Sequence, residues 1–180
     1  MEYIKHHPGL IPKDTCRKII QIYKDDLHRY AKETDYNLQK TVLEASSHNS
    51  SKLSEIIDKE ISKVVNKAVD NSIPHNLTDS SFYTMENAGL MHHKEGTTIP
   101  YHYDAPYQGE NVSDLACLLY LNDEFEGGEL IFPLQNKIIK PGTGDILVFP
   151  TNCFFPHLTT INSGAERYVL RMNYYYAKPK

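Results

Sequence analysis

Apolar residues recur at helical spacing in two segments within the first 75 positions of the chain. The first segment begins near 12–15, and the second follows a polar stretch at 44–51. Residues three and four positions apart share one face of a helix. We therefore predict two amphipathic helices, the second ending near 71–74. Their apolar positions are Cys16, Ile19, Ile20, Tyr23, Leu27, Tyr30 and Ala31 in the first, and Leu53, Ile56, Ile57, Ile61, Val64, Val65 and Ala68 in the second.

The pattern changes from Phe82 onward, where short apolar or alternating runs are separated by Gly, Pro, Asn and Asp. Many short strands with regular turns are typical of a sandwich, barrel or jelly roll. We predict one mainly β domain of the α+β class over residues 1–180, in which a helical part (1–75) packs on one sheet of a β-region (82–176). The predicted strands are 82–86, 90–94, 99–104, 115–121, 129–132, 137–140, 145–149, 157–160 and 168–176.

Composition narrows the class of protein. The chain has 180 residues, 40% apolar and 23% charged, with a net charge of −4, so it lacks the basic footprint of a dedicated nucleic-acid binder. No apolar run is long enough to span a membrane, and the first ten residues do not resemble a signal peptide. Three cysteines without a CxxC pair do not indicate a disulfide framework. We expect a soluble cytoplasmic protein with neither a membrane nor a nucleic-acid partner.

Three residues in the β-region could bind a metal. His102 and Asp104 lie two positions apart on a predicted strand, so their side chains point to the same side. His157, at the start of another predicted strand, is the best candidate for a third ligand. Two histidines and one carboxylate form a facial triad that suits Fe(II) and leaves coordination positions open. The alternative for each histidine is a residue whose ring is satisfied by the backbone.

Arg167 is a candidate partner for a carboxylate. It lies ten positions after His157, and the turn at 161–164 would bring its strand back beside that histidine. The planar guanidinium binds a carboxylate through two parallel hydrogen bonds. The alternative is an ordinary solvated charge at a strand edge.

At this point the sequence resembles the prolyl 4-hydroxylase-like branch of the Fe(II)- and 2-oxoglutarate-dependent dioxygenases. The resemblance covers about residues 82–176 and comprises several matches in the family's order. They are His102-Tyr103-Asp104, Tyr120-Leu121-Asn122, Gly127-Gly128-Glu129-Leu130 with Phe132, Lys140-Pro141-Gly142 through Asp145–Phe149, His157, and Gly164-Ala165-Glu166-Arg167-Tyr168.

The resemblance implies a double-stranded β-helix, which is a variant of the jelly roll. It also implies that His102, Asp104 and His157 bind Fe(II), and that Arg167 pairs with the C5 carboxylate of 2-oxoglutarate. Tyr120 aligns with a tyrosine that donates to the same carboxylate in some relatives. O₂ is then the second co-substrate, and the family allows ascorbate as an additional reductant.

The resemblance favours hydroxylation of a prolyl residue in a protein or peptide. A free amino acid or a small metabolite is the alternative substrate for the same chemistry. A cupin-type metal-binding protein without oxygenase activity would share the triad but would not need Arg167. An interaction domain with incidental histidines would need none of these residues. The oligomeric state is not predicted.

The chain departs from the family around the substrate pocket. His93 stands where relatives often have Tyr, and we expect His92 and His93 to face solvent, with a supporting role at the site as the alternative. Val169 replaces the usual Ser or Thr, and Asn173 with Tyr174 stand where relatives often have Trp.

Strand parity places Arg171 and Asn173 on the same side as Arg167. Arg171 is therefore a candidate substrate contact and the second choice for the co-substrate clamp. Asn173 and Tyr107 are further substrate candidates. The polar segment 105–113, which contains Tyr107, is predicted to be a lid, or alternatively a plain surface loop.

Overall fold

The computed structural model of the protein describes residues 3–34, 42–73, 83–104 and 113–176. Within these ranges, thirteen β-strands and two long helical segments were found. The strands are β1 (Lys5–His7), β2 (Lys32–Thr34), β3 (Val42–Ser46), β4 (Tyr83–His93), β5 (Ile99–His102), β6 (Leu115–Tyr120), β7 (Glu126–Gly127), β8 (Leu130–Phe132), β9 (Lys137–Ile139), β10 (Ile146–Pro150), β11 (His157–Thr159), β12 (Asn162–Ser163) and β13 (Arg167–Tyr176).

Two antiparallel sheets organise these strands. The large sheet has seven strands in the order β1-β10-β6-β13-β4-β3-β2, and the small sheet has four in the order β5-β11-β8-β9. Strands β7 and β12 form a separate two-stranded ladder. Side chains from both sheets share one core between them, including Leu118, Val169, Leu130 and Phe132. Two facing antiparallel sheets with this shared core form the predicted jelly roll.

The helices cover the other face of the large sheet. Helix α1 (Lys13–Asp25) is followed by a 3-10 turn (Leu27–Tyr30). The second helical segment consists of α2 (Ser51–Ile56), a π-helical stretch (Ile57–Ile61) and α3 (Ser62–Ser72). Their apolar faces join sheet residues in a second core, which contains Ile19, Leu53, Val65, Leu119 and Leu170 among others. The prediction that both helices pack on one face of a sheet is confirmed.

The part predicted to be helical, residues 1–75, contains the two helical segments and also three strands that were not predicted. Strands β1, β2 and β3 lie in this part, and all three belong to the large sheet. The polar stretch predicted to interrupt the helices includes the end of β3, which pairs with β4. The two strands predicted at 82–86 and 90–94 are one long strand, β4, within the described residues. Among the described residues, no helix has the length and apolar character required to cross a membrane.

Candidate metal centre

The three predicted ligands meet on the small sheet. His102 ends β5 and pairs directly with His157 at the start of β11, while Asp104 follows β5. Asp104 Oδ1 lies 3.3 Å from His102 Nε2 and 3.8 Å from His157 Nε2. One ligand atom from each residue lies within 4.8 Å of the other two. These donor atoms can therefore bind one metal ion on adjacent coordination positions.

Backbone carbonyls fix the orientation of both histidine rings. His102 Nδ1 lies 2.8 Å from the carbonyl oxygen of Pro100, and His157 Nδ1 lies 3.1 Å from that of Phe155. Because a carbonyl oxygen can only accept, each Nδ1 carries a hydrogen and donates it. In the neutral ring each Nε2 then carries the lone pair that can bind a metal, which is the usual arrangement for a metal-binding histidine.

Electrostatics suit a divalent cation. Burial alone would raise the pKa of Asp104, but its hydrogen bond with His102 and nearby positive groups lower it, so the carboxyl is ionised. Burial lowers the pKa of His157, which keeps this ring neutral. For His102, burial lowers the pKa, but the adjacent Asp104 carboxylate outweighs that effect and raises it. A metal ion bound to the triad would take the place of that proton.

A cavity between the two sheets connects the triad to Arg167. The triad lines it from the small sheet, and Arg167, His93 and Tyr120 line it from the large sheet. Arg167 is only 1% exposed, although it carries a charge. Its terminal nitrogens donate to the carbonyl oxygen of Gly128 at 2.8 Å and to His93 Nδ1 at 2.9 Å. Within the described ranges, no carboxylate forms an ion pair with it.

Tyr120 and Arg171 also line this cavity. Tyr120 is 1% exposed, and burial raises the pKa of its phenol to about 12, so the hydroxyl keeps its proton as a donor. Arg171 donates to Glu44 Oε1 at 2.8 Å and also lines a neighbouring, more polar cavity. Asn173 lines this second cavity and is not among the residues that line the metal cavity. Tyr107 and most of the predicted lid, residues 105–112, lie outside the described residues.

The expectation that His92 and His93 face solvent is wrong. His92 is 8% exposed and His93 only 1%, because β4 is an interior strand between β3 and β13 and both of its faces are covered. His92 belongs to the helix side, where its Nδ1 lies 3.2 Å from Tyr23 Oη. His93 belongs to the cavity side and contacts Arg167. Strand parity places His93 on the same face as Met91 and His92 on the opposite face. With the position of β4 inside the sheet, this parity would have predicted that both histidines are buried on different faces.

Comparison with known proteins shows what the segment that carries this arrangement is similar to. The sequence profile of the 2OG-Fe(II) oxygenase superfamily matches residues 88–175, the segment that contains all of these site residues. A putative prolyl 4-hydroxylase of Acanthamoeba polyphaga mimivirus is 54% identical over 35 residues. That segment is 19% of this chain and only 14% of the viral protein.

Solved structures of three hydroxylases share the fold over nearly the whole chain. The viral collagen prolyl hydroxylase of Paramecium bursaria Chlorella virus-1, solved with 2-oxoglutarate, has a TM-score of 0.73 at 20% identity and covers 98% of this chain and 97% of its own. A Pseudomonas putida prolyl-4-hydroxylase has a TM-score of 0.71 at 14% identity, covering 99% and 95%.

The third is a prolyl hydroxylase from Trichoplax adhaerens in complex with a peptide of the hypoxia-inducible factor oxygen degradation domain. It has a TM-score of 0.73 at 18% identity and covers 96% of this chain and 83% of its own. At these identities the structures show a shared fold, and the matched profile adds the sequence relationship. Residues 88–175 of this chain are therefore similar in sequence to the 2OG-Fe(II) oxygenase superfamily, and the chain shares its fold with these hydroxylases.

Proposed function

We propose that this protein is a 2-oxoglutarate-dependent dioxygenase that holds Fe(II) on His102, Asp104 and His157. The observation that carries the proposal is the pairing, in one cavity, of this triad with the buried guanidinium of Arg167. Two imidazoles and one carboxylate occupy three coordination positions and leave others for a co-substrate and O₂. A metal site alone would give no reason to bury Arg167 beside it.

The surroundings of Arg167 fit a dicarboxylic co-substrate. Burying a charge without an opposite charge costs several kcal/mol, so the free energy of the site falls when an anion binds there. We assign the C5 carboxylate of 2-oxoglutarate to Arg167, with Tyr120 as a further donor. The metal with 2-oxoglutarate and O₂ supplies the oxidising power. The chain holds the co-substrate and, through the apolar side chains of Ile99, Leu130 and Val169 in the cavity, keeps water away.

The proposed substrate is a prolyl residue in a protein or peptide. Two of the structural relatives are described as acting on or binding such chains, namely a collagen prolyl hydroxylase and a prolyl hydroxylase in complex with a peptide. The second cavity supports an extended substrate because it meets the metal cavity at Arg171 and has polar walls that include Lys32, Ser46 and Asn173. Arg171 and Asn173 would then contact the chain that flanks the reacting residue.

Arg167 rather than Arg171 is proposed as the co-substrate clamp. Arg171 already has an acidic partner in Glu44, whereas Arg167 forms no ion pair among the described residues. Arg167 is also the more buried of the two. An anion gains more from pairing with a desolvated charge that has no partner than with one already neutralised.

The test is an anaerobic titration of the metal-free protein with Fe(II) and then 2-oxoglutarate, followed through the visible metal-to-ligand charge-transfer band. We expect the band in the wild type and its loss in His157→Ala, which removes a metal ligand. Arg167→Ala should keep iron but bind 2-oxoglutarate about ten- to a hundredfold more weakly, the effect of a lost charged hydrogen-bonding partner. Arg171→Ala is the matched control, in which the band should form at the same 2-oxoglutarate concentrations as in the wild type.

Two results would contradict the proposal. A folded, iron-loaded wild type without the band would favour a cupin-type metal protein. Loss of 2-oxoglutarate binding in Arg171→Ala but not in Arg167→Ala would exchange the roles of the two arginines. The substrate is tested separately, by incubating candidate proline-containing peptides and free proline with the enzyme and detecting the gain of one oxygen atom by mass spectrometry.

A further inference from the structure

His93 is a buried polar residue that the proposed reaction has not yet used. We infer that His93 is a binding residue for 2-oxoglutarate: its Nδ1 accepts from Arg167 and so fixes the guanidinium, while its Nε2–H donates to the same far carboxylate. This inference rests on the proposed function, because it names another donor, beside Arg167 and Tyr120, for the same carboxylate.

The register of the large sheet places the two residues side by side. Arg167 on β13 pairs with His93 on β4, and Arg167 Nη2 lies 2.9 Å from His93 Nδ1. A guanidinium has only donors, so Nδ1 must accept, and the one hydrogen of the neutral ring must be on Nε2. Burial, followed by the nearby charge of Arg167, holds the pKa of His93 well below its usual value, which keeps the ring neutral.

The Nε2–H group is therefore a buried donor without a partner among the described residues. Among the buried side-chain atoms in those ranges that lack a hydrogen-bond partner, only His93 Nε2 and Arg167 Nε belong to residues that line the metal cavity. Buried donors are rarely left unpaired, because the cost of removing them from water is then not recovered.

One ligand can satisfy both donors. A carboxylate has two oxygens and about four acceptor positions, so it can accept from His93 and Arg167 together. The two residues cannot satisfy these donors for each other, because the one acceptor between them, Nδ1 of His93, already accepts from Arg167 Nη2. A carboxylate that reaches this end of the cavity is the group that 2-oxoglutarate adds to a simple 2-oxo acid.

The experiment compares two ligands on Fe(II)-loaded protein without O₂. The first is 2-oxoglutarate, and the second is 2-oxobutanoate, which has the same chelating end but no far carboxylate. In His93→Phe we expect about a ten- to hundredfold weaker affinity for 2-oxoglutarate and an unchanged affinity for 2-oxobutanoate. Iron affinity should stay at the wild-type value, because the triad is untouched.

Two further variants separate the two nitrogens of the ring. In His93→Asn the amide lies near the position of Nδ1, so Arg167 keeps an acceptor but the donor at the position of Nε2 is lost. In His93→Gln the amide reaches the position of Nε2. We expect the Gln variant to recover part of the 2-oxoglutarate affinity and the Asn variant to resemble His93→Phe. ¹⁵N NMR of the Zn(II)-loaded wild type should show a neutral ring at His93 with the hydrogen on Nε2.

Several results would overturn the inference while leaving the proposed function in place. Unchanged 2-oxoglutarate affinity in His93→Phe, or an equal loss for both ligands, would reduce His93 to a packing residue. Recovery in Asn but not in Gln would make it a positioning residue that acts only through Arg167. A charged ring, or a hydrogen on Nδ1, would exclude the assigned donor. A wild type that binds iron but no 2-oxoglutarate would instead overturn the proposed function and this inference with it.

Discussion

Buried histidines make the stability of this protein depend on pH. Burial is the main cause that lowers the pKa of His92, His93 and His157, with the largest effect at His93. An unfolded histidine has a pKa of about 6.5, so below that pH the unfolded chain binds protons that the folded protein does not. Stability from these residues is therefore complete above about pH 6.5 and falls as the pH decreases.

The contribution of His102 to stability has the opposite dependence on pH. Its pKa is raised in the folded protein, so its contribution is present below the unfolded pKa and is lost as the pH rises through the folded value. The carboxylates with lowered pKa values, such as Asp104, lose their contribution only at lower pH. Burial also lowers the pKa of His7, so between neutral pH and about pH 5 four histidines with lowered pKa values are opposed by one, His102, with a raised pKa.

We therefore predict that the metal-free protein loses stability between about pH 7.5 and about pH 5, and that His93→Phe reduces this loss. A histidine that stays neutral in the folded protein contributes a slope of up to about 1.4 kcal/mol per pH unit. The measurement is the free energy of unfolding in urea at several pH values, with a chelator present. The quantity to compare is the slope of the unfolding free energy against pH, because the substitution also changes packing and so shifts the absolute free energy. Parallel curves would show that His93 is protonated equally in both states.

The turn formed by Gly127 and Gly128 shows how one element supports the site. Both residues have positive φ angles, of 67° and 70°, which side chains disfavour. A Cβ atom on Gly127 would lie 2.0 Å from the carbonyl oxygen of Ile161, in the backbone just before β12. The carbonyl of Gly128 accepts from Arg167 at 2.8 Å. The turn must therefore keep its shape if Arg167 is to keep its position.

Gly127→Ala should destabilise the fold and weaken 2-oxoglutarate binding together. The left-handed conformation costs an alanine about 1–2 kcal/mol, and the clash with a backbone carbonyl adds about 1–3 kcal/mol. Gly164→Ala is the matched control, because Gly164 also has a positive φ, of 79°, but a Cβ atom there meets nothing within 4 Å. Unfolding free energies and 2-oxoglutarate affinities of both variants provide the comparison. Equal effects at the two positions would contradict a role for the close contact.

The same elements show why the sequence predicts only part of the fold. The start of helix α1 and most strands of the β-region were predicted close to their observed bounds, because their apolar positions have a clear period. The apolar pattern of the first helix was predicted to continue to Ala31, whereas α1 ends at Asp25 and a 3-10 turn follows. Strands β1, β2 and β3 were missed because they are three to five residues long, and only pairing with distant or neighbouring strands defines them. The π-helical stretch Ile57–Ile61 leaves the apolar pattern intact, so periodicity does not reveal it.

These missed strands explain the error at the site. The spacing of His102 and Asp104 and the turn before Arg167 are local features, so the sequence could indicate which residues share a face. The burial of His93 depends on β3 covering the open side of β4, which is a contact between parts of the chain that are distant in sequence. Local pattern therefore identified the charged and metal-binding residues, while the supporting residues required the sheet order.

At the scale of the whole molecule, the large sheet lies between the core that it shares with the helices and the cavity that contains the proposed site. Its outer face packs on the helices, and its inner face forms the cavity with the small sheet. The metal ligands belong to or follow strands of the small sheet, and the residues proposed to hold the far carboxylate belong to the large one. The co-substrate would therefore bridge the two sheets, with its chelating end on one and its C5 carboxylate on the other.

Two adjacent leucines on β6 test this separation. Leu119 is 0% exposed and belongs to the core shared with the helices, whereas Leu118 is 8% exposed and lines the metal cavity. Leu119→Ala should lower the free energy of unfolding by about 2–5 kcal/mol, the usual cost of a core cavity, and leave 2-oxoglutarate affinity unchanged.

Leu118→Ala should cost less stability, because its side chain already borders a cavity, and should alter ligand binding there. Urea unfolding and the anaerobic titration measure the two effects on the same samples. If Leu119→Ala weakened 2-oxoglutarate binding as much as Leu118→Ala does, the sheet would transmit changes between its faces. Packing of the helices on the sheet would then contribute to ligand affinity as well as to stability.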